Sequence, residues 1–370
     1  MKFSISTSFY KRSDKVQHLY QQILDQTYTN WEWIVTDDFS EENNAEEILK
    51  EICSKDSRVK YYQQSRKKEC FYNPQRGASG DIIVMLDSDD YAFSKTLELY
   101  HHFFLKHPEV SGMSCLSHTI DGRGIFAEIQ GGGTYKCENY PTFNFTPMNR
   151  AFKNVFKEFD NGVLQYYQND TNIVRHMETI GKWLYLPRVL CEYYYSPDTI
   201  SRAERSPEEW QRVEQERLFI ESKFPHLLDP DKCSSLLYYI PVRDLARAFS
   251  ICSFNKDTDH KNVLFVKKEM SPAQRMLLKE LFFEQDLYFD YTKEFRFDEV
   301  VIYLDDDTYN SLEEITETLR IYNSQVPLRL FLDERLNLNS FDSIDNKVRE
   351  IFGSRGWAHG GYETYFSTAV

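Results

Sequence analysis

The stretch Ile82-Ile83-Val84-Met85-Leu86-Asp87-Ser88-Asp89-Asp90 decides the fold of this chain. Five consecutive apolar residues, entered from Gly80-Asp81, predict a strand buried on both faces. Strands of that kind belong to parallel sheets covered by helices on both sides. The chain leaves this strand at three carboxylates within four positions. In open α/β sheets, ligands bind outside the carboxyl ends of the strands. Carboxylates crowded there repel one another and call for a compensating cation. Aspartate oxygens suit hard divalent ions such as Mg²⁺ or Mn²⁺, which also neutralise phosphates. A bare D-S-D-D tetrapeptide is more often a solvated turn, so its neighbours must carry the argument.

Working back to the amino terminus, Phe3 to Thr7 alternates as a short first strand and runs into Ser8-Phe9-Tyr10-Lys11-Arg12. Val16, Leu19, Tyr20, Ile23 and Leu24 recur at helical spacing. Trp33-Ile34-Val35-Thr36 predicts a second strand, ending at Asp37-Asp38. Ala45 to Cys53 predicts a helix and Val59 to Tyr62 a third strand. Strands alternating with helices predict a doubly wound α/β sheet. Two strand ends therefore carry acidic pairs. One Asp at a strand tip can accept a hydrogen bond from a nucleobase N–H. A metal at the other tip would serve the phosphates. Neither G-x-G-x-x-G after the first strand nor G-x-x-x-x-G-K-[ST] occurs, so a dinucleotide fold and a P-loop are unsupported.

The three segments S-I-S-T-S-F-Y-K-R, Q-T-Y-T-N-W-E-W-I-V-T-D-D-F-S and G-A-S-G-D-I-I-V-M-L-D-S-D-D stand in this order within residues 1–90. Together they resemble the family-2 inverting glycosyltransferases of the GT-A fold, over about residues 1–205. The resemblance implies a GT-A-type doubly wound mixed sheet and a hexosyltransferase using a nucleotide-sugar donor, with a UDP-sugar expected. It places Thr7, Phe9 and Asp38 in the base and ribose pocket. Asp87 and Ser88 would lie beside the donor. Asp89, Asp87 and Asp90 would hold Mn²⁺ or Mg²⁺. The family often carries an Arg-Asn pair about seven residues before its Ala-x-Gly; here Cys70-Phe71-Tyr72-Asn73 occupies that place.

Further on, Ser94 to His107 predicts an amphipathic helix, and Val110 to Leu116 a strand. Pro147 to Phe152 resembles the family's acceptor-side segment. Gln168-Asn169-Asp170-Thr171 precedes a helical stretch that stops at Gly181-Lys182, followed by Trp183 to Leu190. Asp170 stands eleven positions before Gly181, where the family keeps its catalytic base. Inverting transfer needs such a base to deprotonate the acceptor hydroxyl as it attacks. Asn169 replaces the family's preceding Glu, and Ser196 stands where a metal-binding His is frequent.

The resemblance ends before residue 230. Val263 to Val266, Val300 to Leu304 and Leu328 to Leu332 predict strands, separated by helical stretches. This is a second, smaller α/β domain, with the boundary expected between residues 225 and 226. Its Asp305-Asp306-Asp307 reads as a loop and helix cap rather than a metal site. An acceptor-binding or self-association role is expected of it. The tail from Gly353 predicts no element.

Composition bounds these readings. The 370 residues suit two domains, with 41% hydrophobic and 28% charged residues, as in ordinary globular chains. The net charge of −14 argues against a broad nucleic-acid-binding face but leaves a modified nucleobase acceptor open. A glycan acceptor, as in polysaccharide biosynthesis, is the family's default. The amino terminus enters a strand at once, and no apolar run of about 18 residues follows, which predicts a cytoplasmic chain. Seven cysteines at irregular spacing form neither a disulfide framework nor a metal motif. Two other readings remain: a sugar-nucleotide nucleotidyltransferase, or a non-catalytic sugar- or nucleotide-binding relic of the same fold.

Overall fold

A computed structural model describes residues 1–37, 43–63, 77–120, 126–130, 150–155, 177, 180–194, 237–252, 262–290, 297–322, 327–332, 357–360 and 363–369, with scattered helical positions between 207 and 222. The chain divides into two compact units. The first comprises Met1–Leu186 and Leu190–Leu237, the second Pro187–Val189 and Tyr238–Val370.

Among the described residues of the first unit, strands β1 (Phe3–Phe9), β2 (Trp31–Asp37), β3 (Val59–Gln63) and β4 (Ile82–Met85) run parallel. Their order is β3-β2-β1-β4. The sheet continues through β8 (Arg150–Lys153), β6 (Val110–Ile120), β9 (Lys182–Tyr194) and the short β5 (Tyr91–Ala92), while β7 (Phe126–Gln130) pairs with β6. Strand β8 lies antiparallel to both β4 and β6, so the sheet is mixed, as the resemblance implied. All four residues of β4 are buried, and Leu86 N–H extends the pairing by donating to Ser6 C=O at 3.0 Å.

Helices α1 (Val16–Leu24), α2 (Asn43–Lys55) and α3 (Thr96–Lys106) belong to this unit. In α3 the expected face, Leu97, Tyr100, Phe103 and Phe104, is buried. In α1 the inward set is Val16, Leu19, Gln22 and Ile23, and Leu24 is exposed. The inward face of α1 is therefore rotated toward Gln22, with consequences described below.

The amino ends of β1, β2 and β4 are tied by one carboxylate. Glu32, only 3% exposed, accepts from Lys2 Nζ at 2.8 Å, Ser4 Oγ at 2.6 Å, and Ser79 N–H and Oγ at 2.6 and 2.7 Å. Lys60 Nζ from β3 stands 3.0 Å away. Gly80 lies so close to β1 that a Cβ there would sit 2.7 Å from Ser4 N and Oγ. The absence of a side chain lets β4 enter beside β1 with its N–H donating to Ser4 Oγ at 2.8 Å.

The second unit is built on β10 (Asn262–Val266), β11 (Asp286–Tyr288), β12 (Glu299–Leu304) and β13 (Pro327–Leu332), parallel in the order β11-β10-β12-β13. Helices α4 (Arg243–Cys252), α5 (Pro272–Leu281), α6 (Asp306–Asn310) and α7 (Leu312–Tyr322) complete it among the described residues. Phe249, Phe265 and Phe282 meet edge to face in its core. Ser271 and Gln274 form a reciprocal capping box ahead of Pro272. Asp305 caps α6 by accepting from Thr308 N–H at 2.9 Å and pairs with Lys267 Nζ at 2.6 Å, so this carboxylate is used in capping.

The tail corrects the sequence reading. Trp357–Gly360 (β14) and Glu363–Ala369 (β15) form an antiparallel hairpin, and β15 pairs antiparallel with β13. Gly360 pairs with Glu363 at the end of the hairpin, and Tyr365 and Phe366 lie in a run suited to strands.

Burial by itself would raise the Glu32 carboxyl, but the hydrogen bonds from Lys2, Ser4 and Ser79 outweigh it and hold it well below its ordinary 4.5. The native pKa lies below the unfolded one. Stability from this group is therefore complete above pH 4.5 and is lost as the pH falls through the range beneath it. Glu32→Gln should cost about 1–3 kcal/mol at pH 7 and make stability less pH-dependent below pH 4.5, as measured by urea unfolding across pH.

Candidate active site

The order β3-β2-β1-β4 places the reversal of winding between β1 and β4. At such a switch point the connections leave in opposite directions and open a crevice at the carboxyl ends. The segment after β1, Tyr10 to Arg12, and the segment after β4, Leu86 to Asp90, both emerge there.

Among the expected donor-pocket residues, Thr7 is wholly buried, and its hydroxyl accepts from the Trp33 indole N–H at 3.0 Å. Phe9 is also buried and pairs in register with Asp37. Asp37 accepts from the Tyr61 hydroxyl at 3.2 Å. Burial, with Asp37 beside it, pushes the Tyr61 hydroxyl upward. Asp38, Asp170, Asn169 and Ser196 lie outside the described residues.

The acidic turn is well defined. Asp90 N–H donates to Asp87 C=O at 3.2 Å and closes it. Ser88 and Asp90 point inward and are buried, whereas Asp87 and Asp89 are half-buried. Asp89 meets Arg12, with Nη2 to Oδ2 at 2.9 Å. Lys11, immediately before that arginine, has φ of 51°, a left-handed conformation that costs a lysine roughly 1 kcal/mol. It aims Arg12 back across the crevice. Asp90 Oδ1 accepts a long bond, 3.4 Å, from Tyr194 N–H. Its buried Oδ2 has no hydrogen-bond partner among the described residues. Burial first, then the charges of Asp87 and Asp89, raise the Asp90 carboxyl well above the ordinary range.

Two glutamines hold this turn from beneath. Gln22 Nε2 donates to Asp90 C=O at 2.9 Å, and its Oε1 accepts from Ala92 N–H at 2.7 Å. Gln26, one helical turn on, donates to Phe93 C=O at 2.8 Å and accepts from Leu97 N–H at 3.2 Å. The two amides supply the hydrogen bonds that a neighbouring strand would otherwise give. Beyond them Tyr91 pairs with Glu192, whose carboxylate accepts from the Tyr194 hydroxyl at 2.9 Å. Burial, then that bond, pushes the Tyr194 hydroxyl up to about 12.

Arg12, Gln22 and Gln26 had no assigned role in the sequence reading. The usable signal for the glutamines was their spacing: Gln22 shares the side of α1 that carries Leu19 and Ile23, and Gln26, just past the end of that helix, follows Gln22 by four positions.

Among the described residues, no group of three or more His, Cys, Asp or Glu side chains is arranged to hold a metal ion. The donor set still fits a hard cation. It is all carboxyl oxygen and includes a buried Asp90 oxygen that has no hydrogen-bond partner among the described residues. Mg²⁺-type ions commonly use one or two carboxylates and take their remaining ligands from water and substrate phosphates.

The crevice and its acidic turn define an α/β domain of the kind that binds phosphorylated ligands at a switch point. Residues 4–162 match the family model Glycosyl transferase family 2, and the chain carries a domain of that family there. An uncharacterized glycosyltransferase of Rickettsia bellii (strain RML369-C) is 30% identical over 146 residues, covering 38% of this chain and 20% of that protein. The Escherichia coli UDP-Glc:alpha-D-GlcNAc-diphosphoundecaprenol beta-1,3-glucosyltransferase WfgD is 32% identical over 106 residues, 28% of this chain and 41% of that protein. The chain thus spans between 20% and 41% of the length of these curated relatives. Among solved structures, S. aureus TarS 1-349 in complex with UDP-GlcNAc has a TM-score of 0.45 at 16% identity, over 68% of this chain and 72% of that one. The mannosyltransferase PcManGT from Pyrobaculum calidifontis, with GDP-Man and Mn²⁺, has a TM-score of 0.39 at 13% identity, over 75% and 79%.

Replacing Gln22 by Leu would bury the Asp90 carbonyl and the Ala92 N–H without partners. Each such loss costs about 1–3 kcal/mol, so Gln22→Leu should lose roughly 2–4 kcal/mol in urea unfolding. Hydrogen exchange at Ala92 should rise more than at Ile83, since β4 keeps its own ladder.

Proposed function

We propose that this chain is a metal-dependent inverting glycosyltransferase. It moves a sugar from a nucleotide-sugar donor, a UDP-sugar by preference, to an acceptor hydroxyl. The observation that carries this reading is the acidic turn Asp87–Asp90 at the carboxyl end of β4, facing β1 across the switch point, within the residues matched to the family. The names of the relatives add support, because WfgD is described as a UDP-Glc-dependent glucosyltransferase.

In this reading Asp89, Asp87 and Asp90 would hold Mn²⁺ or Mg²⁺. Bound there, the ion would neutralise the charge that develops on the departing diphosphate. Ser88 lies beside the donor. The carboxyl ends of β1 and β2, with Thr7, Phe9 and Asp38, frame the nucleoside. Asp170 takes the proton from the acceptor hydroxyl as that oxygen attacks the anomeric carbon, and the nucleoside diphosphate departs from the opposite face. Inversion follows from this single displacement. The acceptor is a glycan or another hydroxyl compound, and the second unit serves to hold it or to mediate self-association.

One observation favours a second reading, a sugar-nucleotide binder without turnover: Arg12 already neutralises Asp89. Incubation with UDP-glucose, UDP-galactose and UDP-N-acetylglucosamine, with and without Mn²⁺, separates the two. Slow, Mn²⁺-dependent release of UDP supports transfer, and binding without release supports the second reading. Asp89→Ala should reduce UDP release at least a hundredfold while leaving the circular dichroism spectrum unchanged. Asp170→Asn should abolish transfer to an acceptor yet leave UDP binding within about threefold. Unaltered turnover in Asp89→Ala would remove that residue from the mechanism.

A further inference from the structure

We propose that Arg12 is an internal counter-ion that competes with the donor's cation for Asp89, so that the metal enters by exchange rather than into an open acidic pocket. This rests on the reading that Asp89 binds the metal. The geometry is specific. Arg12 Nη2 lies 2.9 Å from Asp89 Oδ2, and the two side chains are 26% and 20% exposed. The arginine is held on both sides of its own backbone. Lys11 turns left-handed just before it, and Lys15 N–H donates to Arg12 C=O at 2.9 Å just after it. The guanidinium is therefore delivered to the carboxylate by the backbone rather than meeting it by chance on a mobile surface.

The charges explain why such a device is needed. Asp87, Asp89 and Asp90 stand in one four-residue turn, and Asp90 has a buried oxygen without a hydrogen-bond partner among the described residues. Without a cation this turn would be self-repulsive. Arg12 supplies part of the missing charge while no metal is bound. A divalent ion brings twice the charge and can bind several oxygens at once, including those of a diphosphate. It therefore displaces an ion pair that is partly solvated and individually weak. The exchange reduces affinity for the bare ion and favours the ion that arrives with the donor's phosphates.

The test is binding of Mn²⁺ alone, without nucleotide, to the full chain, followed by water-proton relaxation. Arg12→Gln should bind Mn²⁺ three- to tenfold more tightly than the wild type. Arg12→Lys, which keeps the charge, should stay within about twofold of the wild type. Asp89→Asn should lose at least tenfold. If Asp89→Asn loses Mn²⁺ while Arg12→Gln binds no more tightly than the wild type, competition is wrong and the metal reading stands. If Asp89→Asn binds Mn²⁺ as the wild type does, the metal is not held at Asp89 and both ideas fall. A measurement on the unmutated fold guards against a misfolded variant. Addition of diamagnetic Mg²⁺ should shift the Arg12 side-chain Nε–H resonance, assigned by its loss in Arg12→Lys. A resonance that stays in place at saturating Mg²⁺ overturns the proposal.

Discussion

Glu32 is the constraint on which the rest of the first unit depends. Three strands converge on one buried carboxylate at their amino ends, and their register is set there. Register decides which side chains emerge at the far end, since a slip of one residue would turn every side chain to the opposite face. The sheet therefore has two acidic ends of opposite character. At the amino end, lysines, hydroxyls and backbone N–H groups satisfy a single carboxylate in full. At the carboxyl end, three carboxylates share a turn and one of their buried oxygens has no hydrogen-bond partner among the described residues. The first arrangement stabilises the fold. The second is the kind of unfinished coordination that a ligand completes.

The acidic turn is held rigid by groups that do not compete for its charge. Gln22 and Gln26 bond to backbone atoms, those of the segment 90–97 and, for Gln26, also the Gln22 carbonyl. They leave the carboxylates of Asp89 and Asp90 to Arg12 and Tyr194 N–H. The backbone that carries the carboxylates is thus tied down before any ligand arrives, which lowers the cost of organising it at binding.

Much of this was legible in the sequence because it depends on simple periodicities. The apolar run Ile82–Leu86 could be read as a buried parallel strand, and the helical spacing of Leu97, Tyr100, Phe103 and Phe104 as an inward face. What escaped depends on partners distant in the chain. Gln22 is buried because Asp90 and Ala92, some seventy residues away, receive its amide; no local pattern shows that. Arg12 stands in a quoted motif, yet its meeting with Asp89 requires both β1 and β4 to be in place. The tail hairpin was missed because its aromatics and paired glycines lack alternation clear enough to mark two strands. Its stability comes from β13, an edge that exists only after the second sheet has formed. Asp38 and Asp170, chosen through resemblance rather than periodicity, lie outside the described residues.

The amide clamp has a consequence for chemical ageing. Gln22 is neutral, and its Nε2 is a donor that a carboxylate lacks. Deamidation to glutamate would set acceptor against acceptor at the Asp90 carbonyl. It would also add a negative charge beneath a turn that already holds three carboxyl groups. A single hydrolysed amide could thus loosen the acidic turn while leaving the parallel strands β1 to β4 in place.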